Sequence, residues 1–144
     1  MNIELVTIGT ELLLGFTVDT NSAFAGEVLA DRGIRVVRRT SVPDDPAAIR
    51  AAVAEALART GAVITTGGLG PTRDDMTKVV VAELFGTPLE FQEPLWQALV
   101  ERYRVRGRAP STSNRTQAEV PLGATVLPNR WGSAPGLWLE GAPG

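Results

Sequence analysis

The segment Thr65-Thr66-Gly67-Gly68-Leu69-Gly70-Pro71-Thr72-Arg73-Asp74-Asp75-Met76-Thr77 constrains this chain more than any other. It follows the apolar run Ala62-Val63-Ile64 and precedes a helical pattern from Lys78 to Phe85. That context reads as a strand, a tight Gly-rich turn and a helix start. Glycines without Cβ atoms let backbone N–H groups approach an anion closely. The start of the following helix adds unpaired donors and a positive dipole end. Two adjacent carboxylates at the same place suit a hard divalent cation. The loop therefore reads as a phosphate cradle beside a metal or acid/base site.

The rest of the chain repeats the same alternation. Ile3 to Ile8 reads as a buried strand, and Gly9 to Gly15 as a loop at its end. Asp19-Thr20-Asn21-Ser22 supplies N-cap residues for a helix to about Arg32, which Gly33 stops. Ile34 to Ser41 is a second strand. Pro46 opens the next helix, with Asp45 as its cap and Ile49, Val53, Ala56 and Leu57 as its apolar stripe. Ala62 to Thr65 is the third strand. Pro94 opens a helix with Leu95, Trp96, Leu99, Val100 and Tyr103 on one face; Ala124 to Leu127 and Leu137 to Leu139 are later strands. Alternating strands and helices predict an α/β fold, a three-layer α/β/α sandwich on a mostly parallel sheet. Ligands of such sheets bind beyond the carboxyl ends of the strands. Three loops are expected there: Gly9 to Gly15, Pro43 to Pro46, and Gly67 to Asp75.

With 144 residues, the chain is expected to form a single domain. It has no cysteine and no histidine, which excludes disulfides, thiolate chemistry and His-based acid/base catalysis. Any metal must be held by oxygen ligands. The net charge of −2 does not point to nucleic acid or to an anionic membrane. No apolar run approaches transmembrane length, and no signal peptide is visible, so a cytoplasmic protein is expected. The final Glu140-Gly141-Ala142-Pro143-Gly144 follows a strand without a closing helix, which reads as the end of a fragment.

Each motif also has a plainer reading. The Gly67-Gly68-Leu69-Gly70 turn matches neither a Walker A sequence nor G-x-G-x-x-G, and it could be a bare connection. Either Asp74 or Asp75 is expected to cap the following helix, and capping does not exclude ligation. Asp44 is left free for another task once Asp45 caps. Glu11, among Leu12, Leu13 and Leu14, is either solvent-facing or functional. Asn129-Arg130-Trp131-Gly132-Ser133-Ala134-Pro135-Gly136 reads as a wide hairpin loop or as a second binding loop. Arg102, Arg104, Arg106 and Arg108 read as a solvated helix end rather than a phosphate or nucleic-acid platform.

Taken together, these motifs resemble the molybdopterin-binding domain family of MoaB, MogA and the MoeA and gephyrin catalytic domains. The branch they look most like is the N-terminal domain of competence/damage-inducible CinA proteins. The resemblance rests on Gly9-Thr10-Glu11-Leu12-Leu13-Leu14-Gly15, Thr20-Asn21-Ser22, Val42-Pro43-Asp44 and the Thr66 to Thr77 run. Asn114-Arg115-Thr116-Gln117-Ala118 and Asn129 to Gly136 extend it over nearly the whole chain. One departure is Glu140, where the family usually has proline.

The resemblance implies a MoaB/MogA-like fold and a homodimer or homotrimer. It implies nucleotide binding by Thr10, Gly67, Gly68, Gly70, Thr72, Asn21, Ser22 and Ser133. It implies that Asp75, Asp44 and Glu11 are the catalytic and metal-associated acids. The implied activity is divalent-metal-dependent cleavage of ADP-ribose-like dinucleotide pyrophosphates, with magnesium, manganese or cobalt. The deamidase activity of a separate C-terminal domain is not carried over. Two rival readings use the same loop: a molybdopterin-binding or adenylylating module, and a non-catalytic nucleotide-binding regulatory module. No nucleic-acid or membrane partner is expected.

Overall fold

In this computed structural model, residues 1–141 and Pro143 are described; Ala142 and Gly144, within the departing C-terminal run, lie outside the described residues. The chain forms two compact units, Met1–Gly68 and Leu69–Gly144.

The first unit is built on a three-stranded parallel sheet of order β2-β1-β3. Strand β1 (Asn2–Ile8) lies between β2 (Arg35–Val42) and β3 (Val63–Thr66). All residues of β1 from Ile3 to Ile8 are buried, as a central strand covered on both faces requires. Strand β2 instead exposes Arg35, Arg38 and Arg39, charges that suit an edge. Helix α3 (Pro46–Thr60) packs on all three strands, and Ile49, Val53 and Ala56 enter the core. Its start is as the sequence predicts: Pro46 stands in the first turn, and the Asp45 carboxylate accepts from the Ala48 N–H at 2.8 Å. Helix α2 (Thr20–Ala30) packs on β2 and is capped by Asp19, which accepts from the Ser22 N–H at 2.9 Å. The expected Gly9-to-Gly15 loop contains one helical turn, α1 (Thr10–Leu13).

The second unit begins in the Gly-rich loop and enters α4 (Thr77–Leu84). Two antiparallel pairs follow: β4 (Leu89–Phe91) with β5 (Glu119–Pro121), and β6 (Thr125–Leu127) with β7 (Gly136–Trp138). Between β4 and β5 lie α5 (Glu93–Val105) and a 3₁₀ segment, Thr112–Ala118. Val80, Ala82, Leu84, Leu99, Ala118, Val120 and Pro121 are among this unit's buried apolar residues. The fold is thus α/β with a mainly parallel sheet in its first half. Among the described residues no helix is long and apolar enough to cross a membrane.

Candidate functional site

In the first unit, the ends of β1 and β2 are tied together by residues singled out in the sequence. The Gly9 N–H donates to the Val42 carbonyl at 3.0 Å. The Thr10 N–H and hydroxyl both donate to Asp44 Oδ2, at 2.9 and 3.2 Å. In return, the Asp44 N–H donates to Thr10 Oγ1 at 3.3 Å. Asp44 is therefore not free: its carboxylate fixes the start of α1 from the neighbouring strand end. Glu11 is exposed and folds back, so that a Cβ at Gly9 would lie 2.5 Å from its Oε1. The two acids thus approach the Gly9–Thr10 peptide from different elements.

Gly67 closes this edge at the end of β3. Its φ is +96°, and an added Cβ would lie 2.0 Å from the Ile8 carbonyl oxygen. Only glycine meets both conditions. At the start of α2, Asn21 is exposed and Ser22 buried, its hydroxyl beside the Asp19 carboxylate that its N–H also meets.

In the second unit the Gly-rich loop already holds an anion, and that anion is Asp75. Its Oδ2 accepts from the Thr72 N–H at 2.9 Å and from the Thr72 hydroxyl at 2.5 Å. The Gly70 N–H contributes a further bond, and a Cβ at Gly70 would lie 2.5 Å from Asp75 Oδ2. Burial pushes the Asp75 carboxyl up, but the Thr72 and Gly70 donors outweigh it, and the net shift is below the usual range. This corrects the expected cap. The residue before α4 is Met76, with no side-chain cap, because Asp75 turns back into the loop.

The Asn129–Gly136 run connects β6 to β7 and is the expected hairpin loop. It is held from inside and outside. Asn129 Oδ1 accepts from the N–H groups of Trp131 and Gly132, both at 2.9 Å, and its Nδ2 donates to the Ala134 carbonyl at 2.8 Å. The Arg102 guanidinium donates to the carbonyls of Asn129, Arg130 and Gly132. Ser133 Oγ accepts from Gln117 Nε2 at 3.0 Å, which leaves its own proton available to a ligand. Gln117 also accepts from Asn114, whose amide group donates to the Tyr103 hydroxyl as well.

The sequence did not mark Arg102, Asn114 and Gln117 as supports of the site. The Asn114 and Gln117 spacing of three is a usable signal for one face of a turn, but Arg102 acts across 27 to 30 residues. Lys78 was also passed over. Half-buried in the first turn of α4, it donates to the Thr116 carbonyl; burial lowers its pKa, partly offset by Glu119.

The oxygen ligands of Glu11, Asp44 and Asp75 suit magnesium, manganese or cobalt by donor chemistry. Among the described residues, no three acidic, imidazole or thiol side chains gather into a cation site. Glu11 and Asp44 belong to the first unit and Asp75 to the second.

Comparison with known proteins gives this arrangement a class. Solved structures place the fold with MoaB and MogA. MoaB of Thermus thermophilus superposes with a TM-score of 0.56 at 22% identity, covering 83% of this chain and 78% of the other. The tungsten cofactor synthesizing protein MoaB of Pyrococcus furiosus gives 0.57 at 25%, covering 90% and 74%.

The probable molybdopterin binding domain model matches residues 4–142, and the chain belongs to that family. Within it, the similarity is to CinA proteins. CinA of Thermoplasma acidophilum superposes with a TM-score of 0.84 at 35% identity, covering 95% of this chain and 80% of the other. A CinA-like protein of Gemmatimonas aurantiaca is 56% identical over 141 residues, or 97% of this chain and 33% of the relative. A CinA-like protein of Anaeromyxobacter dehalogenans is 49% identical over 137 residues, or 95% and 34%. The chain spans about a third of the length of the curated relatives it matches.

Proposed function

We propose that this domain binds a dinucleotide of the ADP-ribose class and hydrolyses its pyrophosphate bond. One observation carries the reading: the Gly70 and Thr72 donors converge on an oxyanion, the Asp75 carboxylate. A loop so aimed can hold a phosphate oxygen by the same chemistry. The Gly70 and Thr72 donors hold Asp75 ionised; a phosphate that takes them over releases the carboxylate, still ionised at neutral pH, to accept a proton. In the step proposed, water attacks one phosphorus and passes its proton to the Asp75 carboxylate. The bond from that phosphorus to the bridging oxygen breaks, and AMP and ribose 5-phosphate leave. Thr10 and Asp44 fix the loop after β1 within the first unit, and the Ser133 hydroxyl remains available to donate to substrate. Glu11 and Asp44 of the first unit and Asp75 of the second each offer carboxylate oxygens of the kind a divalent cation takes. Bound magnesium, manganese or cobalt would polarise the phosphoryl oxygens and acidify the attacking water.

Incubating the purified chain with ADP-ribose and each metal, and following AMP by chromatography, tests this. Asn at position 75 keeps an oxygen for the Thr72 donors but cannot take the proton. Asp75→Asn is expected to lose about 10²- to 10⁴-fold in rate while remaining folded. Undiminished AMP release by Asp75→Asn would sink the proposal.

The family match favours a second reading, a molybdopterin-binding or adenylylating module. Tight pterin binding, or ATP-dependent adenylylation without ADP-ribose cleavage, would select it. A third reading is a nucleotide-binding regulatory module. It predicts stabilisation by ADP-ribose with no turnover under any metal.

A further inference from the structure

We infer that Trp131 is the stacking platform for the nucleobase of the bound nucleotide. The inference rests on the nucleotide-binding reading and adds a subsite to it. Trp131 is 94% exposed, although tryptophan is among the side chains whose burial is most favourable. A large exposed ring on a loose loop would need no explanation. This loop is not loose. The Trp131 N–H is bonded to Asn129 Oδ1, and the carbonyls of Asn129, Arg130 and Gly132 are held by Arg102. The backbone is thus fixed on both sides of an indole that remains in water.

Trp131 also borders a cleft of about 380 Å³, whose lining includes Leu69, Leu127, Pro128, Arg130 and Pro135. That volume lies within the roughly 300–1,000 Å³ range of small-molecule sites. Leu69 belongs to the Gly-rich loop, next to Gly70, whose N–H takes part in holding the Asp75 carboxylate. Within this unit, Trp131 and Leu69, the residue directly before the oxyanion donor Gly70, therefore border one ligand-sized space. An apolar wall, a planar ring and a guanidinium match a nucleoside phosphate. The base stacks on the indole, and Arg130 offers charge to the phosphate side. Arg102 is a positioning residue: it touches no ligand but fixes the loop that presents the ring. Every base has a π-face, so the subsite favours aromatic bases over none without selecting strongly among them.

The test compares AMP with ribose 5-phosphate, which keeps the sugar and phosphate and lacks the base. Calorimetric titrations are made with the wild-type chain, Trp131→Ala and Trp131→Phe. With so exposed a residue both variants should fold, which circular dichroism checks. Trp131→Ala should bind AMP on the order of 10- to 100-fold more weakly and ribose 5-phosphate unchanged. Trp131→Phe, which retains a ring, should recover most of the loss. Unchanged AMP affinity in Trp131→Ala overturns the inference while leaving the nucleotide reading intact. So does an equal loss for both ligands, or a change of oligomeric mass without a change of AMP affinity. A wild-type chain that binds neither ligand overturns the nucleotide reading, and the inference with it.

Discussion

Glu4 stands on the central strand β1 with 1% of its surface exposed, a place that ordinarily takes an aliphatic side chain. Its charge is retained because Arg59 grips it with two bonds, Nε to Oε1 at 2.8 Å and Nη2 to Oε2 at 2.9 Å. Those bonds hold the Glu4 carboxyl below the usual carboxylate range, against the opposing effect of burial. A lowered folded-state pKa contributes stability above the ordinary glutamate range and loses it as pH falls through the folded value. Arg59→Met should reverse the sign. The carboxyl, now buried without its main partner, is pushed up, so the variant should gain stability as pH falls through the mildly acidic range. Urea unfolding from pH 4 to pH 7 measures both slopes. Parallel slopes in the two proteins would refute the account. None of this was legible in the sequence. Ile3 to Ile8 reads correctly as a buried strand, but the acid within it is absorbed into the apolar run. Its partner lies 55 residues away.

The best-read elements were those with local punctuation. The start of α3 is written in Asp45 and Pro46, and the end of α2 in Gly33, so both were placed almost to the residue. Strands β4 and β5 are not legible: Leu89-Glu90-Phe91 and Glu119-Val120-Pro121 each carry a charged residue and stand directly beside helical segments that dominate the pattern. The 3₁₀ segment was missed because its apolar pattern has neither helical nor strand period. At the site, Gly67, Asp44 and Asp75 were legible as special residues, but not the bonds they make. Asp74 and Asp75 both read as cap candidates because they precede α4, but Thr72, three residues back, binds Asp75 and neither side chain caps the helix. The hairpin loop shows the same limit: its turn residues announce a loop, and Arg102, which holds it, is announced by nothing nearby. Arg102→Gln should release the loop and cost about 1.5–3 kcal/mol, the worth of hydrogen bonds made by a charged donor. Limited trypsin digestion reads the release directly. Cleavage after Arg130 should accelerate in the variant, and an unchanged rate there would show the loop is held without Arg102.

At the scale of the molecule, the first unit displays an uncovered apolar surface. Leu13, Leu14, Phe16, Val18 and Phe24 are exposed within a stretch of twelve residues, Phe16 by 81% and Phe24 by 69%. Clustered exposed apolar side chains mark association surfaces more often than isolated ones do. We propose that this surface mediates the homodimer or homotrimer that the family resemblance implies. Light scattering after gel filtration should give a multiple of 15.3 kDa for the wild type. The Phe16→Ser/Phe24→Ser variant should shift toward the monomer mass, and an unshifted variant would place the contact elsewhere.

Gly67 carries a last consequence. It is exposed, and exposed positions are ordinarily where a sequence can drift without penalty. Here that licence is withdrawn: every other amino acid would bring a methyl-sized atom into the Ile8 carbonyl and force an unfavourable backbone rotation. A survey of tolerated substitutions ranked by accessibility would misjudge this position, because its freedom is forbidden by the main chain rather than by the core.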